Sequence, residues 1–128
     1  MRPEFGNAAV CGRRTGGWLV GHFVKTQSSL RATGDLEIKW GEHKPGKFTD
    51  WKSQPGKKTI TLLVSGKMLV QIRIGRKTEA YILSSPGDFI IWDDHRKHRW
   101  KALTKTIVIS IRWPSVVGKE KRAAGLKA

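Results

Sequence analysis

Histidine and tryptophan are the residue types of this sequence that could do chemistry or line a binding site, with four of the former and six of the latter. A neutral imidazole can bind a metal ion or exchange a proton near neutral pH. His22 and His43 lie far apart and form no local ligand pair, and His95 follows two aspartates in a turn-like segment. Alternation in an extended segment places His98 and Trp100 on the same strand face.

The tryptophans suggest a pocket, because sites for small molecules are concave and lined largely by apolar and aromatic side chains. Trp92 and Trp100 stand on either side of His98, and we expect each of them to line either a cavity or the core. Trp51 lies in the long polar segment 41–58, which contains two Pro-Gly turns and is long enough to form a pocket rim. We predict that Trp51 covers the pocket or pins this segment in place.

Other catalytic arrangements find no support in the sequence. Cys11 is the single cysteine and cannot form an internal disulfide, and no serine lies in a Gly-x-Ser-x-Gly turn. The glycine-containing segment 12–17 has neither the lysine nor the following helix of a phosphate-binding loop. No window approaches the roughly 18 apolar residues of a membrane-spanning helix, and no secretory signal is visible. We therefore expect a cytoplasmic protein without a membrane partner.

Strands must position these side chains, because short apolar or alternating runs recur along the chain between Gly, Pro and polar turns. No segment has a convincing helical period. Many short strands without crossover helices indicate an antiparallel barrel or sandwich, so we predict an all-β fold. The pattern predicts roughly eight strands, with a hairpin at Ser65-Gly66, over residues 18–24, 35–40, 59–64, 67–74, 78–83, 89–92, 98–103 and 106–113.

The run of residues 84–98 resembles the second sequence motif of the cupin superfamily. In that motif a glycine is followed by a proline, then by a second glycine, and then by a metal-binding histidine. Gly87 and His98 occupy the first and last of these positions, while Asp93 and His95 replace the proline and the second glycine. The resemblance extends over about residues 40–113.

This resemblance implies a jelly-roll barrel, or double-stranded β-helix, with one pocket that receives the His98 side chain. Gly66 matches the glycine that ends the family's first motif, and counting back from it places Thr59 at the family's glutamate position. Lys52 and Gln54 fall at the positions of its histidines. Since these are not metal ligands, we predict no cofactor, with a divalent metal at His98, joined by other histidines, as an alternative. His98 is expected to be a hydrogen-bonding group of the pocket or an acid–base catalyst.

The predicted ligand-binding residues are therefore drawn from the resemblance and from the aromatic and histidine content. We expect a barrel that binds a small polar or anionic molecule, and the sequence leaves open whether the protein is an enzyme. The family also implies a homodimer. The full set of candidate ligand-binding residues is His98, Trp100, Trp92, Trp51, His43, His22 and Thr59.

The formal net charge of +15 favours a second interpretation, a nucleic-acid-binding barrel whose exposed aromatic rings stack on bases. A metal-dependent isomerase or dioxygenase is the third. We divide the chain into an N-terminal extension at 1–17, a barrel at 18–115 and a basic tail at 116–128. Most of the excess charge lies outside that tail, whose charged residues are Lys119, Glu120, Lys121, Arg122 and Lys127.

Overall fold

A computed structural model describes residues 2–26 and 28–116, and eight strands account for most of its regular structure. The all-β prediction is confirmed. One short helix, α1 (Ala8–Cys11), was not predicted; it begins after Asn7, whose side-chain oxygen accepts a hydrogen bond from the amide of Ala9 at 2.9 Å. The strands are β1 (Trp18–Val20), β2 (Glu37–His43), β3 (Lys58–Ser65), β4 (Met68–Ile74), β5 (Lys77–Leu83), β6 (Phe89–Trp92), β7 (His98–Ala102) and β8 (Thr106–Trp113).

The strands form two antiparallel sheets, the arrangement of a jelly roll. The larger sheet has the order β1-β2-β8-β3-β6, and the smaller has the order β5-β4-β7. Most strands that are adjacent in a sheet are not consecutive in sequence, because the chain crosses repeatedly from one sheet to the other. None of the helices among the described residues is long and apolar enough to cross a membrane.

The predicted hairpin over residues 59–74 is wrong, because β3 and β4 belong to different sheets. The turn at Ser65-Gly66 instead carries the chain from one sheet to the other. Gly66 has a φ of 90°, and a side chain at this position would collide with the backbone of Lys105. The true hairpin joins β4 to β5, with Ile74 opposite Lys77. Alternation and a Gly turn look the same in both arrangements, which explains the error.

The long segment that the sequence suggested as a loop is partly ordered along the free edge of β7. The amide of Thr49 donates to the carbonyl of Trp100 at 2.9 Å, and Lys52 exchanges two backbone hydrogen bonds with His98 at 2.9 and 2.8 Å. The amide of Gly46 donates to the carbonyl of Ala102 at 3.3 Å. We call residues 46–52 the edge segment, because they extend the smaller sheet beyond β7.

The hydrophobic core lies between the two sheets. In β4, Met68, Val70 and Ile72 point inward as their alternation predicts, whereas Ile74 at the strand end is 38% exposed. Trp92 and Trp100 pack against the edge of the core. Burying each of the larger aliphatic side chains stabilises the fold by roughly 1.5–3 kcal/mol. The remaining buried members are Leu63, Leu83, Ile90 and Val108.

The predicted strand at 18–24 is shorter than expected and ends at Val20. A side chain at Gly21 would meet Phe23 and the hydroxyl of Ser115 at less than 3 Å, so the chain passes this point only as glycine. The predicted tail at 116–128 lies, apart from Val116, outside the described residues. The proposed division into extension, barrel and tail stays a prediction.

Candidate functional site

An interior cavity of about 60 Å³ lies between the two sheets, at the level where the core changes from apolar to polar. A water molecule needs on the order of 15 Å³, so this space fits a few waters or a carboxylate-sized group. The smaller sheet and strand β6 of the larger sheet contribute apolar and aromatic walls, and strands β2, β3 and β8 contribute the polar groups. The lining residues are Lys39, Gly41, His43, Thr61, Met68, Val70, Trp92, Trp100, Val108 and Ser110.

Lys39 brings a positive charge to this cavity from the inward face of β2. Its ammonium lies 5.6 Å from the centre of the Trp18 ring and forms no ion pair with a carboxylate of residues 2–26 and 28–116. Partial burial lowers the pKa of Lys39, and the positive charges of Arg112 and Lys52 lower it further. An anion beside Lys39 would stabilise its charged form and thereby offset both effects on its pKa.

His43 lies on the same face of β2, and Gly41 leaves the room that its ring occupies. A side chain at Gly41 would come within 2.7 Å of Nε2 of His43. The imidazole packs against Trp100 with ring centres 4.3 Å apart. Burial, and then the charge of Lys39, lower the pKa of His43, so the ring is neutral at pH 7. It can therefore accept a proton or a hydrogen bond.

The two strands that follow β2 in the order of the larger sheet supply hydroxyl groups to the same cavity. Thr61 of β3 and Ser110 of β8 are cross-strand neighbours, and their hydroxyl oxygens lie 3.0 Å apart in a hydrogen bond. Each hydroxyl can make further hydrogen bonds. The cavity therefore combines one ammonium, one neutral imidazole and two hydroxyls with two tryptophan walls. Such a set can hold an anionic group and orient a neighbouring hydroxyl.

His98 points inward, as the sequence predicted, but it does not line this cavity. Its side chain is buried at 6% exposure and stacks on Trp92 with ring centres 4.6 Å apart. Nδ1 lies 3.4 Å from the carbonyl of Arg96, a long hydrogen bond. Burial lowers the pKa of His98 despite that carbonyl, and the charges of Lys52 and Arg112 act in the same direction. Trp92 both lines the cavity and packs against His98.

The positions of the family's metal ligands hold polar groups that do not fit a metal ion. Among the described residues, the hydroxyl of Thr59 and the side-chain oxygen of Gln54 are buried and have no hydrogen-bond partner. Lys52 brings a positive charge, which repels a cation. Within residues 2–26 and 28–116, no three His, Cys, Asp or Glu side chains come together as a metal-binding group.

His22 lies far from His98, in a buried ionic cluster at the end of β2 and β8. The carboxylate of Glu37, with no exposed surface, accepts from Lys57 at 3.0 Å and lies 2.6 Å from Nε of Arg112. Its other oxygen accepts from the hydroxyl of Ser115 at 2.8 Å, and Nδ1 of His22 lies 2.8 Å from that hydroxyl. These contacts connect β2, β8 and the segments that carry Lys57, Ser115 and His22 at this end of the barrel, and His22 does not line the cavity.

Trp51 lies on the outside of the smaller sheet, away from the cavity. Its ring contacts the guanidinium groups of Arg73 and Arg99, which point outward from β4 and β7. Of the candidate ligand-binding residues, Trp92, Trp100 and His43 are therefore brought together at the cavity. Lys39, Thr61 and Ser110 were not singled out from the sequence, because a polar residue in an alternating strand normally marks the solvent face.

Comparison with known proteins places this architecture in a fold class. The chain matches no protein-family model and no curated protein. Among solved structures it is similar to an uncharacterised conserved protein with a double-stranded β-helix domain from Klebsiella pneumoniae, with a TM-score of 0.56, 19% identity and coverage of 65% of this chain and 66% of that one. The chain is therefore a double-stranded β-helix protein.

Two further solved structures share this fold. KdgF from a Halomonas species has a TM-score of 0.57 and 26% identity over 64% of this chain and 71% of that one. A cupin superfamily protein from Desulfitobacterium hafniense has a TM-score of 0.53 and 15% identity over 62% of this chain and 67% of that one. The chain therefore has a cupin-like fold, as the motif at residues 84–98 indicated.

Proposed function

We propose that this cupin binds a small anion in its interior cavity, with Lys39 as the residue that neutralises the ligand's charge. The observation that carries the proposal is that Lys39, a partly buried lysine among the residues that line the cavity, pairs with no carboxylate of the described residues. A charge held out of water is costly unless it is paired. A bound anion supplies the missing partner.

The size and walls of the cavity narrow the ligand class to a small polar molecule with a carboxylate-like head. The cavity of about 60 Å³ admits only such a head, and Trp92 and Trp100 would flank it. The Thr61 and Ser110 hydroxyls can donate to an anionic oxygen, and neutral His43 can accept from a hydroxyl of the ligand. The homodimer that the family implies stays a prediction, which sedimentation of the purified chain measures directly.

Thermal unfolding with a panel of small anions tests the proposal, because a ligand that binds only the folded state raises the midpoint temperature. We expect acetate, malonate or another small carboxylate to raise the midpoint at constant ionic strength, and Lys39→Met to remove that rise. Lys39→Met should itself fold, since it replaces an unpaired ammonium with an apolar side chain of similar length. The control is Lys77→Met, on the exposed β4–β5 turn, which loses the same charge.

The proposal fails if no small carboxylate stabilises the protein, or if Lys39→Met and Lys77→Met reduce the stabilisation equally. The second result would mean that the anions act through the overall positive charge. Trp100→Ala provides an independent check, because it removes a cavity wall without changing any charge. We expect it to weaken the response to carboxylates as well.

A further inference from the structure

The outer face of the smaller sheet carries a row of cations that faces away from the cavity. In β7, Arg99 and Lys101 alternate with inward residues, and in β4 the outward residues include Gln71 and Arg73. Gln71 lies opposite Arg99 in the β4–β7 pairing. Neighbouring strands are about 4.8 Å apart, so these side chains form one continuous patch.

Two aromatic rings from the edge segment lie against this patch. Arg99 contacts both rings, with its guanidinium carbon 4.2 Å from the centre of Phe48 and 4.7 Å from that of Trp51. Arg73 lies 5.0 Å from the Trp51 ring, and the ammonium of Lys101 lies 4.7 Å from the Phe48 ring. We call these five residues the cation–aromatic face. Backbone hydrogen bonds from the edge segment to β7 hold the rings in place.

The cations of this face are not neutralised within the described part of the chain. Arg73, Arg99 and Lys101 form no ion pair there. Arg99 donates from Nε to the side-chain oxygen of Gln71 at 2.7 Å, which fixes the guanidinium but leaves its charge uncompensated. The surface therefore has fixed positive charge, flat rings and free donors in one place.

We propose that the cation–aromatic face binds single-stranded nucleic acid. Surfaces that bind single strands combine positive charge, which follows the phosphates, with flat groups on which bases stack. The rings and the guanidinium planes of Arg73 and Arg99 offer such groups, since bases stack on both. This cluster also gives a role to part of the net charge of +15, of which the proposed interior site involves only Lys39.

The same geometry argues against an anionic membrane as the partner. Phe48 and Trp51 are partly buried, with cations packed on their rings, so they do not project as the apolar anchors that an interfacial segment inserts among lipids. An acidic protein would satisfy the charges but would not use the rings. A contribution of the two rings to the binding affinity therefore distinguishes nucleic acid from an acidic protein as the partner.

Fluorescence anisotropy of labelled single-stranded oligonucleotides at several salt concentrations tests this proposal. We expect the Arg73→Gln and Arg99→Gln double variant to bind at least tenfold more weakly. Its salt slope should fall by about 1.4, because each phosphate contact to a single strand contributes about 0.7. The matched control is Arg13→Gln with Arg14→Gln, which removes the same charge from an exposed turn near the N-terminus.

A second variant tests stacking, because Trp51→Leu leaves every charge in place. We expect it to weaken oligonucleotide binding roughly tenfold, the loss of one base-stacking ring. Binding of polyglutamate, or of vesicles with anionic lipids, should stay unchanged. The proposal is overturned if the protein does not bind oligonucleotides at low salt, if the two double variants lose affinity equally, or if Trp51→Leu has no effect. Lys39→Met should bind oligonucleotides normally, so the two proposals fail separately.

Discussion

The two ends of the barrel interior are built from opposite kinds of side chain. At one end, Leu63 and Val108 of the larger sheet face Met68 of the smaller sheet, and all three are nearly inaccessible to solvent. At the other end, Glu37 and Arg112 occupy the equivalent inward positions of the larger sheet. The cavity lies between the two ends, where Lys39, Thr61 and Ser110 meet Val70 and Trp100.

The two ends of the barrel interior therefore stabilise the fold by different means. Apolar packing is tolerant, because each side chain gains from whatever it touches. Buried polar groups each need a partner, because an unpaired donor, acceptor or charge destabilises the folded state. Glu37 meets its requirement within the chain, whereas Lys39 and the hydroxyl of Thr59 do not. The unpaired charge of Lys39 is therefore the basis of the proposed anion site.

The largest effect is expected at the polar end, from Glu37→Gln. The variant removes the carboxylate charge that the buried ammonium of Lys57 and the guanidinium of Arg112 contact, which should lower the free energy of unfolding by about 3–5 kcal/mol. Urea denaturation measures this. The exposed Asp35→Asn variant is the control and should change stability by less than about 0.5 kcal/mol. Equal stabilities of the two variants would show that the ionic cluster is not structural.

A slightly smaller effect is expected at the apolar end, from Leu63→Ala. Leu63 is 1% exposed, so its truncation leaves a cavity and should cost about 3 kcal/mol in the same urea measurement. Ile82→Ala is the control, because Ile82 is 59% exposed on β5 and its loss should be nearly neutral. A loss below about 1 kcal/mol for Leu63→Ala would mean that the core there is loosely packed.

The smallest effect is a pH dependence that arises on the polar side. Burial lowers the pKa of His98 in the folded protein below 6.5, its ordinary value. The neutral ring thus contributes stability above pH 6.5, and this contribution is lost as the pH falls through the lowered pKa. We expect His98→Gln to reduce the slope of the stability profile just below pH 6.5, and we expect His43, whose pKa is also lowered, to account for the slope that remains. The control is His95→Gln, at an exposed ring.

A second carboxyl-linked transition should follow at lower pH, which helps to assign the first. Burial alone would raise the pKa of Glu37, but the hydrogen bond from Lys57, the charge of Arg112 and the Ser115 hydroxyl outweigh it and lower the pKa below 4.5. The stability from Glu37 is therefore present above pH 4.5 and is lost below it. If His98→Gln changed only this lower range, the assignment of the upper transition to His98 would be wrong.

Local pattern was sufficient for most elements and for part of the site. The strand segments around Met68–Ile74 and Thr106–Trp113 follow from their alternation and from the turns and proline that bound them. The motif at residues 84–98 correctly indicated a cupin-like fold and an inward His98. The sequence did not reveal that His98 packs against Trp92 and does not line the cavity, because contacts between the two sheets have no local signature.

Local periodicity, a short motif and composition were enough to predict the all-β class, most of the strands, the likeness to the cupin fold and the strong positive charge. Three features became apparent only in the tertiary structure. Strands β3 and β4 belong to different sheets, and the side chains of Glu37, Lys39 and His43 in β2 point inward. The edge segment places Trp51 against Arg99. The physical reason is register. A shift of one residue in the pairing of β2 with β8 would exchange its two faces, and only contacts between distant strands select one of them.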